Sequence, residues 1–159
     1  MSTKTTATGA LVGAALIFGA VGPALAALSS HDGHAAGALE LSLNQGRKWE
    51  TDEPLRQGMA AIRKAITQSL GAVHNATYTP AQYASLTATL EQQVDGIVRN
   101  CRLPPEADAQ LHLILVDIFE GIDGLKSDGG RVSGAMRVLQ ALDAYGALFD
   151  HPGWEPVGH

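Results

Sequence analysis

A single cysteine in 159 residues leaves no partner for an internal disulfide and too few thiolates for a zinc ribbon. Basic runs are missing as well: 11 Lys and Arg stand against 16 Asp and Glu, for a formal charge of −5. Nucleic acid is therefore not an expected partner, because displacing counterions from phosphates needs a clustered basic surface. Aromatic residues make up only 5% of the chain, so any core must be built mainly from Leu, Ile, Val and Ala. Catalytic signatures are absent too, with no nucleophile elbow, zincin motif, Gly-rich phosphate loop or dinucleotide fingerprint. Glu106 and Asp108 form the one tempting acid pair, but they fall in a first helical turn, where acids stabilise the dipole. The chain does not read as an enzyme.

The opening segment reads as an address. Met1 to Thr8 is polar with one cation, Lys4, and leads into an apolar stretch from Ala10 to Val21. Pro23 follows, and then Ala24-Leu25-Ala26, which puts small residues where signal peptidase reads. Residues 1–26 are expected to be a cleaved secretory signal peptide. The apolar run is shorter than the roughly 20 residues that span a bilayer, and no second such run follows, so no stable membrane insertion is expected after cleavage. A lipobox cysteine is lacking, since the only cysteine is Cys101. The expected location is the periplasm, an oxidising compartment.

Residues 27–50 show no sustained period and read as a flexible leader that docks near its end through Trp49, whose large aromatic body gains most from burial. Residues 51–150 read as four helices. The string Thr51-Asp52-Glu53-Pro54 starts the first with a capping hydroxyl, acids and an early proline. Leu55, Met59, Ile62, Ile66, Leu70 and Val73 then form one stripe. Thr79-Pro80-Ala81-Gln82 is a capping box, opening a helix with Tyr83, Leu86, Leu90, Val94, Ile97 and Cys101 on one face. Pro104-Pro105 ends it and opens the third, with Leu111, Leu115, Ile118, Ile122 and Leu125, broadened by Ile114 and Phe119. After the Ser127-Asp128-Gly129-Gly130 turn, the fourth stripe runs Val132, Ala135, Leu139, Leu142, Gly146 and Phe149. Residues 151–159 form a C-terminal tail whose Trp154 is placed to pack back on the bundle. Short links favour antiparallel neighbours, so the expected fold is all-α, an up-down-up-down antiparallel four-helix bundle after a cleaved signal peptide and flexible leader.

In such a bundle, Met59 and His112 lie about 7 and 10 Å from the end marked by Pro104-Pro105, at 1.5 Å per residue. Cys101 falls at or just beyond that end, about 10 Å below His112. Each has an ordinary explanation: a gap-filling methionine, a small buried thiol, and a structural histidine held by Asp108 one turn earlier. Together, thioether, thiolate and imidazole suit copper, above all Cu(I), and not calcium or magnesium, which take oxygens. Asp108 would then orient the imidazole from behind. A Met/His pair is also an axial set for haem iron; with no Cys-x-x-Cys-His the alternative would be haem b, not a covalent c-type group. In the leader, His31 and His34 form a weak His-x-x-His site for Cu(II) or Zn(II), a spacing equally expected of solvated polar residues. His74, His151 and His159 lie away from this set. Lys48 and Trp49 make the Pro104-Pro105 end the richest surface.

The strings Leu43-Asn44-Gln45-Gly46-Arg47-Lys48-Trp49-Glu50-Thr51-Asp52-Glu53-Pro54-Leu55-Arg56-Gln57-Gly58-Met59 and Asn100-Cys101-Arg102-Leu103-Pro104-Pro105-Glu106-Ala107-Asp108-Ala109-Gln110-Leu111-His112 resemble those of a group of small exported proteobacterial helical proteins. That resemblance implies an exported helical protein and carries no activity or binding residues with it. The architecture is also similar to the cytochrome b562 type of bundle, although the candidate histidine is on the third helix here and that type uses the last. Two further readings stand beside copper carriage or buffering by Met59, Cys101 and His112. One is a metal-free interaction or structural bundle, acting through the Trp49/Lys48 surface or a homodimer contact; the other is a b-type haem bundle.

Overall fold

The computed structural model describes residues 40–157. The expected signal peptide, leader residues 27–39 and the final two residues lie outside them. Four helices dominate: α1 Glu53–His74, α2 Pro80–Asn100, α3 Pro105–Lys126 and α4 Arg131–Leu148. Two-residue strands, β1 Trp49–Glu50 and β2 Phe149–Asp150, pair in parallel with Trp49 opposite Phe149. The described chain is thus all-α with bundle-like packing, α1 lying on α2 and α4, and α3 on α2 and α4.

Local chemistry sets the helix ends. Thr79 and Gln82 form the reciprocal capping box that opens α2. At α1 the cap is Asp52, whose Oδ1 accepts from the Leu55 amide at 2.9 Å. The expected hydroxyl cap is not used: Thr51 Oγ1 instead donates to the Asp150 carbonyl at 2.6 Å, tying the entry of α1 to β2. Proline sits in the first turn of α1, α2 and α3, where its missing amide costs nothing.

The core is the set of stripes read from the sequence, with corrections on α3 and α4. Leu55, Met59, Ile62 and Ile66 of α1 are wholly buried against Leu90, Val94 and Ile97 of α2, Ile114, Ile118 and Leu125 of α3, and Val138 and Leu142 of α4. Burial of each such side chain contributes about 1.5–3 kcal/mol. Phe119 and Val132 were expected inside, yet they are 46% and 55% exposed. The cause is the close approach of α3 and α4 at Gly121, Gly124 and Gly134, where an added Cβ would run into the opposing helix. With glycine at the point of contact, the inward arc of α4 centres on Gly134, Val138 and Tyr145, and Val132 is rotated to the rim. Hydrophobicity gives no weight to a buried glycine, so its period misplaces the arc.

Beyond β2 the chain turns back. His151-Pro152-Gly153-Trp154 closes with the Trp154 amide on the His151 carbonyl at 3.0 Å, and Gly153 takes φ +77°, as the third residue of a type II turn requires. Trp154 then packs on the bundle and Val157 is buried.

Candidate functional site

The Pro104-Pro105 end is assembled from segments far apart in sequence. Residues 44–47 form a tight hairpin turn, Asn44 and Arg47 exchanging both backbone hydrogen bonds, with positive φ at Gln45 and Gly46 as a type I′ turn demands. This turn delivers Lys48 and Trp49 onto the bundle. Lys48 Nζ donates to the Gly146 carbonyl at 2.6 Å, a cation placed in the last turn of α4, where the dipole favours it. Trp49 Nε1 donates to the Ser42 carbonyl at 2.7 Å. Gln110, buried on α3, accepts from the Ser42 amide at 2.7 Å and donates to the Glu40 carbonyl at 3.2 Å, so one side chain fastens the incoming strand through both ends of its amide.

Asp52 is the second fastening. Besides capping α1, its Oδ2 accepts from the Arg102 amide at 2.5 Å, and its carboxylate accepts from the Cys101 thiol. Partial burial works against the charge on Asp52, but the amides of Arg102 and Leu55, the thiol and the nearby Arg56 outweigh it and hold the carboxyl below its ordinary range. Burial, followed by the Asp52 and Asp108 carboxylates, pushes the Cys101 thiol up to about 12.

Around Trp49 these fastenings leave two adjoining surface clefts. One, of about 560 Å³, is lined by Asn44, Arg47, Trp49, Pro104, Glu106 and Asp150 among others. The other, of about 490 Å³, lies between Leu43, Trp49, Pro105 and Ala109. Leu43, which lines the second, is 43% exposed, and Leu41, two residues before it, is 39% exposed. The indole is half-buried, and the rim carries both charges, from Arg47, Glu50, Glu106 and Asp150.

The expected metal ligands are not brought together. Met59 is wholly buried among the core aliphatics. His112 lies on the outer face of α3 with its side chain 65% exposed, Nδ1 being 2.9 Å from the Asp108 carbonyl and 3.4 Å from its carboxylate. One residue faces in and the other out, because His112 falls one position off the Leu111/Leu115 line. Cys101 is half-buried at the end of α2, beside the Asp52 carboxylate and away from the outer face that carries His112. Asp108 does meet His112, and its charge acts on Cys101 as well. The donor set does not fit copper in this arrangement, and Met59 and His112 do not form an axial pair for haem. Among the described residues no group of three or more His, Cys, Asp or Glu is arranged to hold a metal ion, and no helix is long and apolar enough to cross a membrane. His31 and His34 lie outside the described residues.

Two residues outside the stripes and the candidate ligand set prove central to this end. Tyr145, wholly buried, has its hydroxyl 2.9 Å from His151 Nδ1, stacks on Phe149 and meets the Trp154 ring edge to face. Its position three residues after Leu142 carries the signal, whereas the stripe read from hydrophobic spacing runs through Gly146. His151, expected away from the rest in a tail, lies within electrostatic reach of Glu53 and Arg56 at the start of α1. Comparisons of the chain with protein-family models, curated proteins and solved structures find no match.

Proposed function

We propose that the protein is an exported, non-catalytic interaction bundle that binds a protein partner in the periplasm through the surface around Trp49. On this reading the bundle is up-down-up-down, and it follows a cleaved signal peptide and a leader. What carries the proposal is that Trp49 lines two clefts, with Leu43 exposed at one of them and Leu41 exposed two residues earlier, on a segment fastened by Gln110, Lys48 and the β1/β2 pair. A preformed aromatic anchor loses little conformational freedom on binding, and the charged rim of Arg47, Glu50 and Glu106 supplies selectivity.

The test is site-specific photo-crosslinking in the protein's own compartment, with the reactive group at residue 43 and, as control, at Gln92 on the exposed face of α2. A discrete adduct at 43 that is absent at 92 and is lost on Leu41→Asp is expected; both leucines are exposed, so folding is not at issue. Adducts that are indistinguishable between the two positions, or indifferent to Leu41→Asp, would overturn the assignment. Copper carriage by Met59, Cys101 and His112 requires α3 to rotate and the thiol to ionise. Stoichiometric uptake of Cu(I) that His112→Ala removes would establish that role in place of this one.

A further inference from the structure

We propose that the C-terminal strap, residues 151–157, is a pH-operated clasp: it is closed over the seam between α1 and α4 while His151 is neutral, and it opens when His151 takes up a proton.

The closed state is built on three contacts. Tyr145 Oη and His151 Nδ1 are hydrogen-bonded at 2.9 Å, and the imidazole ring lies against the Tyr145 and Trp154 rings. The Trp154 ring lies against Gly146 and edge to face with Tyr145 on α4, and the Arg63 guanidinium from α1 sits 5.8 Å from its centroid. Arg63 also pairs with Glu155 at 3.4 Å. The strap therefore touches both helices, and His151 stands at its root, where the type II turn sends the chain back.

Protonation strikes that root. The imidazolium has no acceptor nitrogen, so Nδ1 can only donate to the Tyr145 oxygen, and the phenol proton must turn away from it within a buried aromatic cluster. The new charge is half-buried, and it lies near Arg56 of α1, which repels it. Glu53, in the first turn of the same helix, favours the cation but is exposed to solvent, and Tyr145 of α4 is a neutral phenol whose own ionisation is pushed up by burial. Burial and then Arg56 accordingly prevail and hold His151 below its ordinary value. The sign follows directly. Because docking depresses the pKa, closure is fully favoured above the value of a free imidazole and weakens as pH falls through it toward the docked value. Each unit of depression reduces the closing equilibrium by a factor of about ten at low pH.

The experiment reads hydrogen exchange across residues 149–157 of the full chain, corrected for the intrinsic pH dependence, from pH 8 to pH 4.5, with α2 amides as the internal reference for global stability. Strap protection is expected to fall severalfold on acidification while α2 protection holds, and His151→Gln, which keeps an acceptor but cannot be charged, is expected to flatten the change. Arg56→Gln gives a second reading that does not depend on the first variant: removing the opposing cation moves the midpoint to higher pH. Strap protection that is constant across the range, that falls in step with α2, or that falls equally in His151→Gln with an unmoved midpoint in Arg56→Gln overturns the proposal.

Discussion

The Trp154 indole rests on Gly146 so closely that a Cβ at residue 146 would overlap its ring. Glycine inside a helix ordinarily costs about 0.5–1 kcal/mol relative to alanine. Here it leaves the socket that the strap fills. Gly146→Ala therefore sets a small propensity gain against overpacking of about 1–3 kcal/mol, and a net loss is expected. Urea denaturation together with Trp154 emission, read in a Trp49→Phe background, checks this. A more stable variant with unshifted emission would show that the indole does not need the gap.

Met59 and His112 separate the core from the surface. Met59→Ala empties a wholly buried site and should cost about 2–5 kcal/mol, whereas His112→Ala, exposed on α3, should stay within about 0.5 kcal/mol of the parent. Thermal or chemical unfolding of both variants measures the difference. Equal effects, sensitive to added Cu(I), would bring back a shared site.

Asp52 gathers the start of α1, the link after α2 and the Cys101 thiol on one carboxylate. Asp52→Ala should destabilise by about 1–3 kcal/mol, combining a lost cap with amides left unpaired. Its carboxyl is held low in the folded protein, so this stabilisation is complete above the ordinary aspartate value and is lost as pH falls through the folded one. Stability measured against pH below 5 should accordingly be flatter for Asp52→Asn than for the parent.

Cys101 should be slow to alkylate. With its thiol pushed up to about 12, the thiolate is scarce at pH 8. Iodoacetamide should react roughly ten- to a hundredfold more slowly than with a free thiol, the lost thiolate being offset in part by its greater nucleophilicity. Asp52→Asn removes the charge opposing ionisation and should speed the reaction; an unchanged rate would mean that burial alone protects the sulfur.

Gly134 tests the α3/α4 contact. A Cβ there would meet the backbone of Gly121, Gly124 and Leu125, which has no flexible end to yield, so Gly134→Ala should destabilise despite better helix propensity. Gly129→Ala, in open space at a φ that is not positive, is the matched control and should be near neutral. Circular dichroism melts of the two variants supply the comparison.

The sequence by itself determined the helices. Proline in three first turns, the Thr79/Gln82 box and stripes at steps of three and four mark where helices begin and, on α1 and α2, which face turns inward, because these depend on residues within one or two turns of each other. Tertiary structure decided the side-chain pairings at the Pro104-Pro105 end. Level along a bundle can be counted at 1.5 Å per residue, but the direction of a side chain around its helix turns by about 100° per residue, and a one-position error carries His112 from the interior to solvent. Pairings across the chain, such as Asp52 with Arg102, Gln110 with Ser42 and Tyr145 with His151 under the returning strap, arise only when packing brings distant segments together. No local period records them. The surroundings of Trp49 and of His151 are products of how the helices close on one another.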